Sequence, residues 1–279
     1  MPSLTIEQIL LRAYQRIDKI DAHLLLQHIL AVNHAFLLTH SDQMLTLEQT
    51  NHFLHWVLQR SEGVPIAYLT GQREFYDSMF KVSNAVLIPR PETELLVDLA
   101  LNLIPTTDRA CRILDLGTGS GAIAITIAKH RTLSQVTAVD ISVDAISIAD
   151  WNAKNLRVSN VRFVIGNWFA ELSDEKFDLI ITNPPYVAEN DPHLQQGDLR
   201  FEPKLALSAD HSGMNCISHI IQTAPQYLEK DGWLLLEHGY DQADECKQLF
   251  KRVNFTNICS YPDLAGIMRV SGGQFSASS

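Results

Sequence analysis

From Arg112 onward the chain alternates short apolar runs with stretches of helix length, and that rhythm limits the available folds more than any other feature. Ile113–Leu116, Val136–Val139, Val161–Ile165, Phe177–Ile181 and Trp233–Leu236 are runs of strand length. Helical stretches near Ala122–His130, Val143–Leu156 and Cys216–Leu228 lie between them. Such apolar runs are buried on both faces, so the pattern predicts an α/β fold with a mostly parallel sheet covered by helices. Ile258–Val270 reads as one or two further strands. The chain has 279 residues, 46% of them hydrophobic. A chain of that size buries about 75% of its unfolded surface if it folds as one body.

Residues 1 to about 62 follow a different period. Ile6, Ile9, Leu10, Tyr14 and Ile17 recur at the spacing of one helix face. Thr5 with Gln8, and Thr46 with Gln49, have the spacing of capping boxes. Six of the eleven histidines lie here. A metal site would need them to converge with acidic or thiol support, and scattered surface imidazoles are the expectation. Gly63 and Pro65 punctuate this segment, and Glu74–Val82 then alternates loosely around Asp77-Ser78, as in a β-hairpin. In the stretch Leu87-Ile88-Pro89-Arg90-Pro91-Glu92-Thr93-Glu94, two prolines hold Arg90 extended. Pro91 suits a first helical turn, and Glu92 and Glu94 suit its positive end. The expected division is a helical bundle domain at 1–73, a β-hairpin linker at 74–88 and an α/β domain at 89–279.

Lys and Arg total 22 against 32 Asp and Glu, a formal charge of −10. That balance suits a basic protein partner better than a nucleic acid gripped through its phosphates. Cys111, Cys216, Cys246 and Cys259 form no CxxC pair, so neither a zinc ribbon nor a dithiol redox site is expected. Met1–Gln15 lacks a basic patch followed by an apolar core, and no apolar stretch approaches the ~20 residues that span a bilayer. The expectation is a cytoplasmic protein with reduced thiols, no metal and no membrane contact. A monomer is expected, for lack of an apolar stripe beyond the folded elements.

Asp115-Leu116-Gly117-Thr118-Gly119-Ser120-Gly121-Ala122 follows the first strand and opens a helix. Its glycines permit a tight turn and close approach of a ligand, and the helix amino terminus offers free N–H groups. Asp140 ends the next strand, where a carboxylate can accept both hydroxyls of a ribose. Gly117, Gly119 and Ala122 also satisfy the dinucleotide fingerprint. A nucleoside-bearing cofactor follows, with S-adenosylmethionine and NAD both open at this point.

Phe177–Thr182 reads as a buried strand with Asn183-Pro184-Pro185-Tyr186 at its carboxyl end, the edge where open α/β sheets bind ligands. Two prolines remove backbone donors, so the Pro184 carbonyl has a fixed direction. Asn183 adds a side-chain carbonyl. Together they can accept both hydrogens of a planar –NH2 group, and Tyr186 can cover its flat face. Asn-Pro-Pro is also an ordinary turn, but its place at a strand end favours the functional reading.

On these residues the sequence resembles the release factor glutamine methyltransferases. The resemblance runs over Pro65–Gly71 with Arg73-Glu74-Phe75, and over Ile88–Glu94. It continues with Asp115–Ile123, Asp140-Ile141-Ser142, Asn183–Tyr186 and Arg200-Phe201-Glu202-Pro203. It implies a Rossmann-like, seven-stranded, mostly parallel methyltransferase sheet behind an amino-terminal helical domain that recognises the substrate. The implied reaction moves a methyl group from S-adenosylmethionine to the glutamine side-chain nitrogen of a Gly-Gly-Gln motif in bacterial class I release factors. The resemblance makes Asn183, Pro184 and Tyr186 catalytic and adds Pro185 to the substrate contacts. Gly117, Thr118, Gly119, Ser120, Gly121, Asp140, Asn167, Trp168 and Asn183 become the cofactor contacts. No metal and no stable nucleic-acid binding are implied.

Asn167 stands where the family commonly has an aspartate, and Met268 where many relatives carry a polar residue. Arg90 and Glu92 are candidates for the entrance rather than for chemistry. Relatives sharing the tetrapeptide methylate a ribosomal protein or amino groups of RNA and DNA bases. Those are the alternatives, beside an NAD-dependent oxidoreductase and a binding module without activity. Gly272-Gly273-Gln274 repeats the target tripeptide. Coincidence is the expected explanation, with a self-docking tail as the alternative.

Overall fold

A computed structural model describes residues 4–105, 109–208 and 213–276. It divides into two compact units, the first running up to Gln72 with Gln195–Phe201, the second comprising Arg73–Leu194 and the chain from Glu202 onward.

The first unit is built on α1 (Ile6–Ala13), α2 (Lys19–Leu30), α3 (His34–Thr39), α4 (Leu47–Ser61) and α5 (Ile66–Thr70). Both capping boxes form, with reciprocal bonds of 3.2 and 3.1 Å at Thr5 and Gln8 and of 3.1 and 3.0 Å at Thr46 and Gln49. Ile6, Ile9 and Leu10 are buried against Leu25, Leu26, Phe53 and Val57. Tyr14 and Ile17 are only half-buried because α1 ends at Ala13, one turn earlier than the apolar spacing suggests. Arg60 bonds Asp21 at 2.6 Å and Asp198 at 2.9 Å, which ties the 195–201 segment to this unit.

The second unit opens with the hairpin strands β1 (Gln72–Phe75) and β2 (Ser78–Lys81). The turn is Tyr76-Asp77, one residue before the expected centre, with Tyr76 at φ 57°. Ser78 is already buried in β2 and accepts a bond from Lys129 at 2.8 Å. After an extended Arg90, Pro91–Thr93 forms a single 3-10 turn that leads into α6 (Glu94–Leu103). Then follow β3 (Arg112–Leu116), α7 (Ala122–His130), β4 (Gln135–Asp140), α8 (Val143–Asn155), β5 (Val161–Ile165) and β6 (Phe177–Thr182). The chain closes with α9 (Lys204–Leu207), α10 (Asn215–Thr223), β7 (Leu228–Glu237), α11 (Ala243–Arg252), β8 (Phe255–Pro262) and β9 (Met268–Phe275). The helix expected to reach Leu228 stops at Thr223, because Pro225 lacks the N–H that would continue it.

The seven strands lie in the order β5-β4-β3-β6-β7-β9-β8. All neighbours are parallel except β9, which runs antiparallel to both β7 and β8. Alternate residues of each strand face opposite sides. Ile113, Leu179, Ile181 and Leu235 pack with α6 and α7, while Leu114, Leu116, Ile180, Leu234 and Leu236 pack with α10 and α11. The order reverses at β3: the chain moves outward to β4 and β5, then returns to place β6 on the other flank of β3. Such a switch point leaves a crevice at the carboxyl edge.

Gly272-Gly273-Gln274 is no tail. It is the interior of β9, with Gly272 opposite Leu235 on one side and Cys259 on the other. A Cβ at Gly272 would lie 2.5 Å from Leu235 Cδ2 and 3.0 Å from the Leu234 carbonyl oxygen. One at Gly273 would meet Phe250 and Phe255 at 3.1 Å. The Gly272-Gly273 pair is thus a packing requirement, and truncation after Gly272 would strip paired residues from the sheet. Gly272→Ala is expected to lose about 1–3 kcal/mol, the usual cost of overpacking. Urea unfolding checks this, and a midpoint equal to wild type would show that the sheet yields freely.

Candidate active site

Three segments leave the carboxyl edge of the sheet at the crevice: the loop after β3, the end of β4 and the loop after β6. Gly117, Gly119 and Gly121 have φ of 72°, 56° and 82°, a left-handed region that other residues enter at a cost. At Gly121 an added Cβ would also lie 2.7 Å from Ile125 Cδ1 and 3.1 Å from Ala149 Cβ, so α7 and α8 require glycine there. Asp140 shapes the loop from across the strand pair. Its carboxylate accepts the Gly119 N–H at 2.8 Å and the Ser142 N–H at 2.9 Å. Burial raises its pKa, and those amides oppose the rise.

A cavity of about 270 Å³ lies at this edge. Gly117, Gly119, Asp140, Asn167, Trp168 and Asn183 all line it, as does Pro185. Trp168 sits at φ 53°, an uncommon place for a bulky side chain. Its ring stands 3.5 Å from where a Gly117 Cβ would be. Thr118, Ser120, Gly121, Pro184 and Tyr186 are not among the lining residues. Thr118 instead donates to Asp115 at 2.7 Å, and the Ser120 carbonyl accepts from Asn152 at 2.8 Å. Pro184 is buried, and Tyr186 is turned toward the end of β7.

The flanks of the cavity come from segments whose role spacing did not reveal: Val86 and Leu87 on one side, Pro203 and Leu205 on the other. Arg90 and Glu202 join these flanks in an ion pair, Glu202 with a fully buried side chain. Glu202 also accepts the Ile88 N–H at 3.2 Å. Arg90 therefore ties its segment to Glu202, and neither it nor Glu92 lines the cavity.

Behind the β6 loop lies a second group that sequence reasoning missed. Asn183 Nδ2 donates to Thr93 Oγ1 at 3.2 Å, and Thr93 Oγ1 donates to Glu237 Oε2 at 2.8 Å. The Tyr186 hydroxyl donates to Glu237 Oε1 at 3.1 Å. Glu237 is buried at 1% exposure and ends β7, one residue beyond Leu236, which pairs with Thr182 at the end of β6. Burial raises its pKa, while Thr93, Tyr186 and Arg269 pull it back. Tyr186 is pushed far above the ordinary phenol value by burial and by Glu237, so it stays protonated. An acidic residue closing an apolar strand at the ligand-binding edge was the signal available for Glu237.

The donor set suits a nucleoside-bearing ligand. A carboxylate at the end of β4 faces a cavity that also has an indole and glycine backbone at its wall. Its volume is near the lower end of the roughly 300–1,000 Å³ typical of small-ligand sites. No group of three or more His, Cys, Asp or Glu side chains suited to a metal occurs among the described residues.

Comparison with known proteins bears on the same residues. A methyltransferase domain family matches residues 107–265, and the PrmC N-terminal domain family matches residues 5–71. The release factor glutamine methyltransferase of Salmonella typhimurium is 44% identical over 255 residues, 91% of each chain. That of Aliivibrio fischeri is 42% identical over 281 residues, 98% of each chain. Among solved structures, a methyltransferase from Pyrococcus furiosus superposes with a TM-score of 0.54 at 16% identity, over 71% of this chain and 89% of that one. A ribosomal protein L11 methylase from Lactobacillus delbrueckii does so at 0.50 and 20%, over 73% and 91%. These two likenesses show the fold alone.

Asp115, beneath the glycine loop, gives the site a measurable pH signature. It is fully buried, its Oδ1 has no partner among the described residues, and burial raises its pKa to about 7. In the unfolded chain it titrates near the usual value of about 3.9. Between those values the native state holds a proton that the unfolded state has lost. Its stabilising contribution is therefore present below about pH 4 and lost as pH rises through about 7. Asp115→Asn removes the titration, so the stability of the variant relative to wild type should rise between about pH 4 and pH 7. A flat difference in urea unfolding across that range would place the native pKa elsewhere.

Proposed function

This chain belongs to the release factor glutamine methyltransferase family, and we propose that it methylates the side-chain nitrogen of the glutamine in the Gly-Gly-Gln motif of bacterial class I release factors. The observation that carries the reading is the placement of Asn183-Pro184-Pro185-Tyr186 at the switch point, beside the glycine loop and the Asp140 carboxylate. A site for a planar –NH2 group thus adjoins a site for a nucleoside. S-adenosylmethionine supplies an electrophilic methyl group on a sulfonium centre. Asp140 would hold its ribose, the Gly117–Gly121 loop its amino-acid portion, and Asn167 and Trp168 its adenine. Asn167 is an amide rather than a carboxylate, but its side-chain oxygen keeps the needed acceptor.

An amide nitrogen is a poor nucleophile because its lone pair is delocalised into the carbonyl. The Asn183 side-chain oxygen and the Pro184 carbonyl would accept its two hydrogens and turn its lone-pair axis toward the methyl group. Orientation of that kind is worth several kcal/mol, out of the ~7–11 that ideal positioning supplies. The same acceptors stabilise positive charge as it develops on nitrogen. The product nitrogen then loses a proton to solvent, so no strong base is needed, and Tyr186 stays protonated throughout. Pro185 and Tyr186 would cover the flat face of the amide.

The helical unit would recognise the body of the release factor, since one tripeptide offers little area for specificity. Its partner is a protein rather than a nucleic acid, in keeping with the charge of −10. Monomeric action in the cytoplasm completes the reading. Among the described residues no helix is long and apolar enough to cross a membrane, and all four cysteines are free.

Peptide mass spectrometry of an unmodified release factor incubated with this protein and S-adenosylmethionine tests the proposal. One added methyl on the Gly-Gly-Gln glutamine is expected; transfer only to a ribosomal protein or to RNA would overturn it. Asn183→Ala is expected to lower kcat about 10²–10³-fold, as loss of one preorganised partner does elsewhere. Calorimetric affinity for S-adenosylmethionine should stay within about threefold of wild type, below the 1.4 kcal/mol of a tenfold change. Equal losses in both would remove Asn183 from the chemistry.

A further inference from the structure

We propose that Thr93 and Glu237 are positioning residues that fix which end of the Asn183 carboxamide faces the substrate. The inference rests on the methyl-transfer reading of this site.

A carboxamide is nearly symmetric in shape, yet its two ends are opposite in polarity. An Asn183 that presents its oxygen accepts from a substrate –NH2. The flipped side chain would set N–H against N–H and repel it. Local backbone cannot break this tie, because Pro184 and Pro185 have no N–H to offer the oxygen.

The tie is broken from a distance by the Glu237 carboxyl group, each of whose oxygens lies within hydrogen-bond reach of a hydroxyl. An ionised carboxylate only accepts, so both hydroxyls that reach Glu237 must donate to it. Thr93 spends its single proton on Glu237 Oε2 at 2.8 Å, and Tyr186 spends its own on Oε1 at 3.1 Å. Thr93 Oγ1 is then an acceptor toward Asn183, and only Nδ2 can fill it, at 3.2 Å. The Asn183 oxygen has no partner among the described residues and is left for the substrate.

Three elements contribute to the relay: the 3-10 turn before α6, the end of β6 and the end of β7. The charges that act on Glu237 are Arg269 on β9, which favours its ionised form, and Glu92, which opposes it. The same carboxylate sets the direction of the Tyr186 hydroxyl, so both polar side chains of the tetrapeptide answer to one buried group.

Thr93→Val removes the hydroxyl at nearly constant volume, while Thr93→Ser keeps it. Thr93→Val should lower kcat for release-factor methylation about 10–100-fold, the scale of a hydrogen bond in a charged network. Its KM for S-adenosylmethionine should stay within about twofold, and Thr93→Ser should recover most of the rate. Glu237→Gln, which must turn an N–H toward one of its two donors, should lose a similar factor. In an Asn183→Ala background Thr93→Val should cost nothing further. Wild-type kcat in Thr93→Val, or a full additional loss in the Asn183→Ala background, overturns the proposal.

A second readout needs no turnover and is made on the wild-type protein. In ¹⁵N-labelled wild-type protein the Asn183 side-chain –NH2, assigned by its loss in Asn183→Ala, should exchange with solvent far more slowly than that of exposed Asn51. Equal exchange overturns the relay by itself. A wild-type protein that fails to methylate release factors would overturn the proposed function instead, so the two failures remain distinct.

Discussion

The reversal of strand order at β3 is the constraint on which the functional half of the molecule depends. Parallel strands all deliver their carboxyl ends to one edge. Because β4 and β6 flank β3 on opposite sides, the connections after β3 and β6 diverge and leave a crevice between them. Gly117, Gly119, Asp140, Asn183 and Pro185 come from three separate segments, yet they share that crevice. Glu237 arrives one strand further along, one residue beyond the Thr182–Leu236 pair.

Buried and half-buried acids organise the neighbourhood, each with its own donors. Glu202 takes Arg90 and the Ile88 amide, Glu237 takes two hydroxyls, and Asp140 takes two backbone amides. A buried carboxylate without partners would be several kcal/mol out of place. These groups therefore dictate where the surrounding loops sit. Asp115 is the exception, with its Oδ1 unpaired among the described residues and burial as the main cause of its raised pKa.

Glycine serves two unrelated purposes in this chain. At Gly117, Gly119 and Gly121 the backbone is left-handed and the absence of a side chain permits the turn. At Gly272 and Gly273 the backbone is extended strand, and glycine is needed because Leu235, Phe250 and Phe255 already fill the space. With Gln274 the second pair spells the same tripeptide as the proposed target, but its neighbours give it a structural meaning.

Much of this was legible in the sequence. Apolar runs at strand spacing located the five parallel strands, and Thr5 with Gln8 and Thr46 with Gln49 located two helix starts. These are local signals, since backbone geometry and capping depend on residues a few positions apart. The glycine loop and Asn-Pro-Pro-Tyr also stood out, because unusual backbone needs unusual residues. What the sequence could not supply was the company that polar side chains keep. Thr93 and Glu237 are ordinary residues 144 positions apart, and only the packing of α6 against the sheet brings their oxygens together. Likewise Arg90 reads as a loop cation until Glu202 is placed beside it. A hydrogen bond is decided by position to within a fraction of an ångström. Sequence alone therefore determined the elements and the chemistry available to them, and tertiary structure decided which groups face one another.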